Sequence, residues 1–345
     1  MNIEQWKNLV TLTEGGKPEK PPIGLIIDSP WLPGWFGCNP IDYYSSDEIW
    51  LNANMKAIES FPEVTFLPGF WSEYGEINEP SAFGSKLLWL KENLPHAETI
   101  ISTVEEIEKL EKPNVETDGL LPLMINRLKS MEPKINAAGH HIRFAIARGP
   151  FNIACFLMGT TEFMLAMMTN PAEIHQLLRV ITDFTIDWLK YQKQCFPSIE
   201  GIMILDDLIG FVGEPECTDF AVPYLKEMYK AFDAQVNFFH NDADGLVVAE
   251  HMEEIGVNLF NFSFKHSMPE MRKACGDKVV LLGNIPPRDV MAVGGVEDVK
   301  KSVQKNMDSI EDHQRIMWSL GGGVPQGVPS ENVSEFIKVV YDYYK

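Results

Sequence analysis

This 345-residue chain is short of positive charge: 29 lysines and arginines stand against 49 acidic residues, leaving a formal net charge of −20. A deficit of that size excludes a general affinity for DNA, RNA or anionic lipid, which need a basic surface. It also works against a polyanionic substrate unless a local arginine cluster compensates, and no such cluster is present. Cysteine is scarce too. The five (Cys38, Cys155, Cys195, Cys217, Cys275) are far apart and odd in number, with no Cys-x-x-Cys pair, so neither a disulfide framework nor a zinc ribbon is expected. Reduced thiols fit a cytoplasmic protein. No basic segment precedes an apolar run at "MNIEQWKNLV", and no apolar run is long enough to span a bilayer, so neither a secretory signal nor a membrane segment is expected. Also missing are a Gly-x-Gly-x-x-Gly turn, a phosphate-binding Gly-rich loop ending in Lys-Ser/Thr, a Ser-His-Asp elbow and a kinase signature set.

What is present is a rhythm. To about residue 135 the chain is irregular and rich in proline and glycine, with short strand-like runs such as "IGLIID" and "VTFLPGF". From about residue 140 strand and helix alternate in units of some thirty residues. "HIRFAIARGP" reads as a strand closed by Gly149 and Pro150. In "NPAEIHQLLRVITDFTIDWLKYQ", Asn170 is placed to cap, Pro171 suits the first helical position, and Ile174, Leu177, Leu178, Ile181, Phe184 and Trp188 share one face. "GIMILDD", "QVNFFHND", "VNLFNFS", "KVVLLGN" and "RIMWSLGGG" follow as strands, each succeeded by a helical segment. Such alternation implies parallel strands with helical crossovers. Polar residues gather where strands end, at Arg148, Asp206 and Asp207, His240 and Asp242, Asn284 and Gly321–Gly323, and active sites of (β/α)8 barrels sit on that face. The expectation is an α/β chain forming one (β/α)8 TIM barrel domain over residues 1–345, with an N-terminal elaboration.

Each polar constellation has two readings. His240 and Asp242, two apart beyond a strand end, can face one metal ion, or can be a strand-end histidine and a helix cap. Asp206 and Asp207 point to opposite sides of a continuing strand, so only one can face the mouth, as acid, base or ligand; the other reading is a capping aspartate. Asn284 in "GNIPP" can bind substrate or close a turn. The aromatic stretches "DSPWLPGWFG" and "LPGFWSEYG", with Trp31, Trp35, Phe36 and Trp71, can line a substrate pocket or form a buried cap.

Jointly, "ARGPFNIACFLMGTTEFMLAMMTNPAEIHQLL", "ILDDLIGFVGEPECTDFAVPYLKEMYKAF", "VVLLGNIPP" and "GGGVPQGVPSENVSEFI" resemble the uroporphyrinogen decarboxylase superfamily, which includes methyltransferases serving corrinoid proteins. The resemblance implies a (β/α)8 barrel. Decarboxylases of the family grip substrate carboxylates with an N-terminal arginine-rich motif, and here the corresponding "DSPWLPGWFG" has no arginine. Unpaired carboxylates are costly to bury, so porphyrinogen is disfavoured. The methyltransferase branch binds zinc through His-any-Cys on a strand end and a second cysteine in the closing glycine loop. This chain keeps His240 but has Asp242 and Gly322 at the two cysteine positions, and the resemblance implies that Asp206, Asp207 or a glutamate of the N-terminal loops completes a zinc shell. Oxygen ligands leave the ion more electrophilic than thiolates do, which suits departure of an alkoxide or phenoxide.

The function expected from the resemblance is a methyltransferase component that moves a methyl group between a small O-methylated compound, in one form an aryl methyl ether, and a corrinoid carried by a separate protein. Asp206, Asp207 and Asn284 are its expected catalytic residues. Trp31, Trp35, Phe36, Trp71 and Arg148 are expected to bind substrate, and His240 and Asp242 to hold metal. No Asp-x-His-x-x-Gly cobalamin motif occurs, hence the partner. The alternatives are a carboxy-lyase acting on a small carboxylic acid with Arg148 as anchor, and a barrel that binds without catalysing.

Overall fold

The computed structural model describes residues 1–345. Eight short parallel strands form the sheet: β1 (Gly24–Ile26), β2 (Thr65–Leu67), β3 (Phe144–Arg148), β4 (Gly201–Leu205), β5 (Val236–Asn241), β6 (Leu259–Phe262), β7 (Val280–Ile285) and β8 (Ile316–Leu320). Strands β3 to β8 pair in sequence order, and β1 pairs with β2. The two sheets join where Ile23 pairs with Trp318 and the Val324 N–H donates to the Ile26 carbonyl at 2.9 Å. No ladder links β2 to β3. The seam is stitched at its lower end by the antiparallel bridge between Asn2 and His140, and at its upper end by the Arg148 N–H donating to Glu79 at 3.0 Å.

The two-residue alternation of strands sorts the side chains into two buried clusters. Phe144 and Ile146, Met203 and Leu205, Val236 and Phe238, Leu259, Val280 and Leu282, and Met317 point into the barrel with Ile26 and Leu67. Their neighbours in sequence point outward and join a second cluster, running from Ile23 to Val340, that packs the helices onto the sheet. The N-terminal helix α1 (Ile3–Thr13) closes the bottom of the barrel with Trp6, Leu9 and Leu12. The Trp6 ring meets Phe144 edge-on at 5.5 Å, and its Nε1–H donates to Gln235 at 3.2 Å.

The structure refines the sequence reading in one place and corrects it in another. The segment before residue 135 supplies two of the eight strands, within the strand-like runs "IGLIID" and "VTFLPGF", and the bottom plug. These strands are three residues long and run into Pro68–Gly69 or a turn. Asn170 does not cap the helix Pro171–Cys195; its Oδ1 accepts the Thr169 hydroxyl at 2.8 Å instead. The apolar face of that helix is as expected, with all six named side chains buried to 1% exposure or less. No single helix is long and apolar enough to cross a membrane; the apolar pair Pro150–Met158 and Thr160–Thr169 bends by 106° at its break.

Candidate active site

Continuing the inward alternation past the strand ends brings Asp28, Arg148, Asp207, His240 and Asp242 to the C-terminal mouth, around a cleft of about 580 Å³. Its floor and walls include Ile26, Trp71, Leu205 and Phe264. Six acidic side chains (Asp28, Glu73, Glu76, Asp207, Asp242, Asp289) line it against two guanidiniums, Arg148 and Arg288, so the mouth shares the acidity of the whole chain.

His240 is buried and held by one partner. Asn261, pointing inward from β6, gives its amide hydrogens to the carbonyls of Leu282 at 2.7 Å and Leu320 at 3.0 Å. Its Oδ1 can then only accept, and it lies 2.8 Å from His240 Nδ1. The Nδ1 therefore carries the proton and, in the neutral ring, Nε2 presents a lone pair. That nitrogen faces Asp207 Oδ1 at 3.6 Å and Asp242 Oδ2 at 4.0 Å. The three donor atoms lie within 4.8 Å of one another. The Asp242 N–H donates to Asp207 Oδ1 at 3.0 Å, and the Asn152 amide reaches Asp207 Oδ2 at 3.4 Å, fixing that carboxylate. Nearly half of the Asp242 side chain is open to the cleft, yet the protein around it displaces enough water to raise its pKa, with the charge of Asp207 adding and that of His240 opposing. A lone pair aimed at two carboxylates is repulsive unless a proton or a metal ion sits between them, and a ring N–H fixed from behind is how metal-binding histidines are oriented. The donor set therefore fits a divalent ion with three protein ligands and room for a further one. A Cβ built on Gly322, whose φ is +135°, would lie 2.7 Å from Asp242 Oδ2, so the carboxylate fills space that a side chain at 322 would enter.

The adjacent aspartates divide as strand alternation requires. Asp206 is fully buried on the outer side and accepts the N–H groups of Phe151 at 3.0 Å and Asn152 at 2.8 Å, capping the helix Pro150–Met158. Gly149 permits this approach, because a Cβ there would sit 2.2 Å from Asp206 Oδ2. Asp206 is thus placed as a cap and Asp207 as the mouth carboxylate. Asn284 also lies outside the cleft: its amide donates to the His266 carbonyl, and its Oδ1 accepts Asn306 at 2.5 Å. Of the four aromatic residues expected to bind substrate, Trp31, Trp35, Phe36 and Trp71, only Trp71 lines the cleft. Trp31 and Trp35 stack at 4.7 Å and donate to Val328 O and Ser330 Oγ, both at 2.9 Å, while Lys56 covers Trp35 and Phe36. The two tryptophans tie the helix Leu32–Phe36 to the start of the last helix, Ser330–Tyr343. Arg148 lines the cleft and donates to the Gly75 carbonyl at 3.1 Å.

Asp28 is absent from the sequence reading, and Glu73 is there only as an unnumbered glutamate of the N-terminal loops. Asp28 ends the run "IGLIID" two residues beyond Ile26, so alternation alone places it inward. Glu73 follows the aromatic "LPGFW", where nothing local marks it. Glu73 is buried and accepts the Ser29 N–H and hydroxyl, each at 3.1 Å, and the Gly75 N–H. Burial, then the charge of Glu73, pushes the Asp28 carboxyl up to about 8.

A family model described as uroporphyrinogen decarboxylase (URO-D) matches residues 73–343. Proteins named uroporphyrinogen decarboxylase from Ruthia magnifica and from Mannheimia succiniciproducens are 23% and 22% identical to the chain. Each match covers 77% of the chain, and 78% and 76% of the relative. A solved methyltransferase from Methanosarcina mazei superposes with a TM-score of 0.83 at 16% identity over 99% of both chains. A B12-independent methionine synthase from Shewanella gives 0.52 at 9% identity, over 87% of this chain and 90% of that one.

Proposed function

Because the chain belongs to the uroporphyrinogen decarboxylase family, we propose that it is a methyltransferase component. In this reading it moves a methyl group between a small O-methylated compound and a corrinoid held by a separate protein. The observation that carries the proposal is the mouth itself: His240 Nε2 and two carboxylates converge in a cleft where acids outnumber arginines six to two. A tetracarboxylate would meet repulsion at nearly every wall, whereas a neutral ether meets none. The barrel is shared with the Methanosarcina mazei methyltransferase.

The residues divide the work. Asn261 fixes the His240 ring, and His240, Asp207 and Asp242 would hold the ion. Zinc at such a site supplies a Lewis acid that polarises the ether oxygen. Trp71, Ile26, Leu205 and Phe264 offer apolar contact to the body of the substrate and exclude water from it. Arg148 braces the loop after β2 through the Gly75 carbonyl. The open mouth leaves the methyl carbon approachable from the partner side. One observation favours a second reading, a lyase acting on a small carboxylic acid: Arg288 lines the cleft and its charge acts on Asp242, so it could anchor one carboxylate.

The test supplies a panel of alkyl and aryl methyl ethers with zinc and a reduced corrinoid protein. Methylation of the corrinoid with release of the alcohol or phenol, and none without the corrinoid protein, is the expected result. Release of carbon dioxide from a small acid with no corrinoid requirement would overturn the proposal in favour of the lyase.

A further inference from the structure

Around the eight-stranded ring, β1 and β5 lie four strands apart and therefore on opposite walls. Asp242 continues the inward row of β5, and Asp28 continues that of β1, so Asp28 looks across the cleft at the His240 cluster. Its Oδ1 is buried and has no hydrogen-bond partner, while the residue keeps some exposure to the cleft. Glu73 beside it takes three N–H or O–H donors. Of two neighbouring carboxyls, the one with donors keeps the charge and the one without keeps the proton.

The groups whose charges bear on Asp28 are Glu73 and Glu76 from the loop after β2, Arg148 from β3 and Asp242 just past β5; Tyr43 and Tyr44 face it from the segment 40–45. Only Arg148 favours ionisation, and its guanidinium is engaged with the Gly75 carbonyl. Burial and Glu73 are the two largest influences holding the proton on, and neither belongs to the His240 side. A cation there would cancel the smaller contribution of Asp242 and leave those two in place.

We propose that Asp28 is the general acid of the methyl transfer, donating its proton to the oxygen that leaves the methyl carbon. The role rests on the methyl-transfer reading; the protonation of Asp28 does not. In the demethylation direction the C–O bond breaks and its electron pair stays on oxygen. The methyl carbon is taken by the electron pair of the reduced corrinoid on the partner. The Asp28 proton goes to the oxygen, giving a neutral alcohol or phenol, and the carboxylate regains a proton from water through the cleft. The substrate class follows. An acid held opposite the donor cluster is needed when the leaving group is a poor one, so alkyl methyl ethers and electron-rich aryl ethers are the substrates that require it.

Two measurements on the full-length protein test this. Infrared difference spectra of wild type against Asp28→Asn, taken from about pH 6 to pH 10, should show a protonated carboxyl band at neutral pH that is lost as Asp28 ionises. The same variant, assayed with the corrinoid protein, should lose ~10²–10⁴-fold in rate on an alkyl methyl ether. It should lose far less on a nitro-substituted aryl ether, and the alkaline limb of the wild-type pH–rate profile should disappear. A structural role alone would lower both substrates equally and leave the limb in place. No carboxyl band at neutral pH, or equal losses on both ethers, overturns the proposal while leaving methyl transfer standing. A band without methyl transfer from any ether overturns the functional reading and, with it, this role for the proton.

Discussion

At the scale of single residues, the mouth depends on what stands behind each group. Asn261 touches no solvent, yet it decides which nitrogen of His240 carries the proton. Replacing Asn261 with leucine removes the acceptor and leaves two carbonyls unpartnered; zinc affinity, read by competition with a chelator, should fall ~10–100-fold. Direct removal of a donor acts more strongly. His240→Ala or Asp242→Ala takes away one of three protein ligands, so metal content by elemental analysis and methyl-transfer rate should fall together. Full metal retention in Asp242→Ala would sink the metal site.

Asp28 carries a prediction of the opposite kind, a cost to folding. Its folded pKa of about 8 stands above its ordinary value of 3.8, so between those values the native state holds a proton that the unfolded chain has lost. Stability therefore falls as pH rises through that window, and the penalty is complete above the folded pKa. In metal-stripped protein, Asp28→Asn should melt at the same temperature as wild type near pH 4 and progressively higher than wild type towards pH 9. Parallel Tm curves across that range would show that Asp28 is ionised throughout.

At the scale of elements, legibility tracked length and regularity. The units from β3 to the last helix could be read because their strands run for four to six residues and their helices repeat an apolar face. β1 and β2 show in the sequence only as the strand-like runs "IGLIID" and "VTFLPGF", whose three-residue strands do not reveal which face is inward, and so Asp28, which depends on knowing that β1 points Ile26 inward, stayed hidden. The same alternation separated Asp206 from Asp207 in principle, but which of them faced the mouth needed the register of β4 against β5. Tryptophans 31 and 35 could not be told from pocket residues by composition, since a buried cap and an aromatic pocket use the same side chains. Gly149 offers a test of the Asp206 cap. Gly149→Ala drives a methyl group into the carboxylate, so it should lower Tm by several degrees, as should Asp206→Ala, and the double variant should cost less than the sum. Strict additivity would mean that the two residues do not share one contact.

At the scale of the whole molecule, the barrel separates its stabilising end from its working end. The bottom is plugged by α1, whose Trp6, Leu9 and Leu12 complete an interior cluster that reaches up to Leu205, level with His240, where it forms the apolar floor of the cleft. The mouth holds polar groups whose partners lie mostly within the cleft loops, so losing one exposes little apolar surface. Two classes of variant should therefore behave oppositely. Trp6→Ala or Leu9→Ala leaves a cavity among tightly packed side chains and should cost ~2–5 kcal/mol. Metal content and rate per folded molecule should nevertheless stay at the wild-type level, since no donor atom moves. His240→Ala should leave the thermal transition of the metal-free protein nearly where it was and abolish metal binding. The measurement is a denaturation curve and a zinc titration on the same preparation of each variant. If Trp6→Ala lost metal at temperatures where it is fully folded, the plug and the mouth would have to be mechanically linked through the interior layer of Phe144, Phe238 and Leu205. The barrel would then be a single working unit from bottom to mouth.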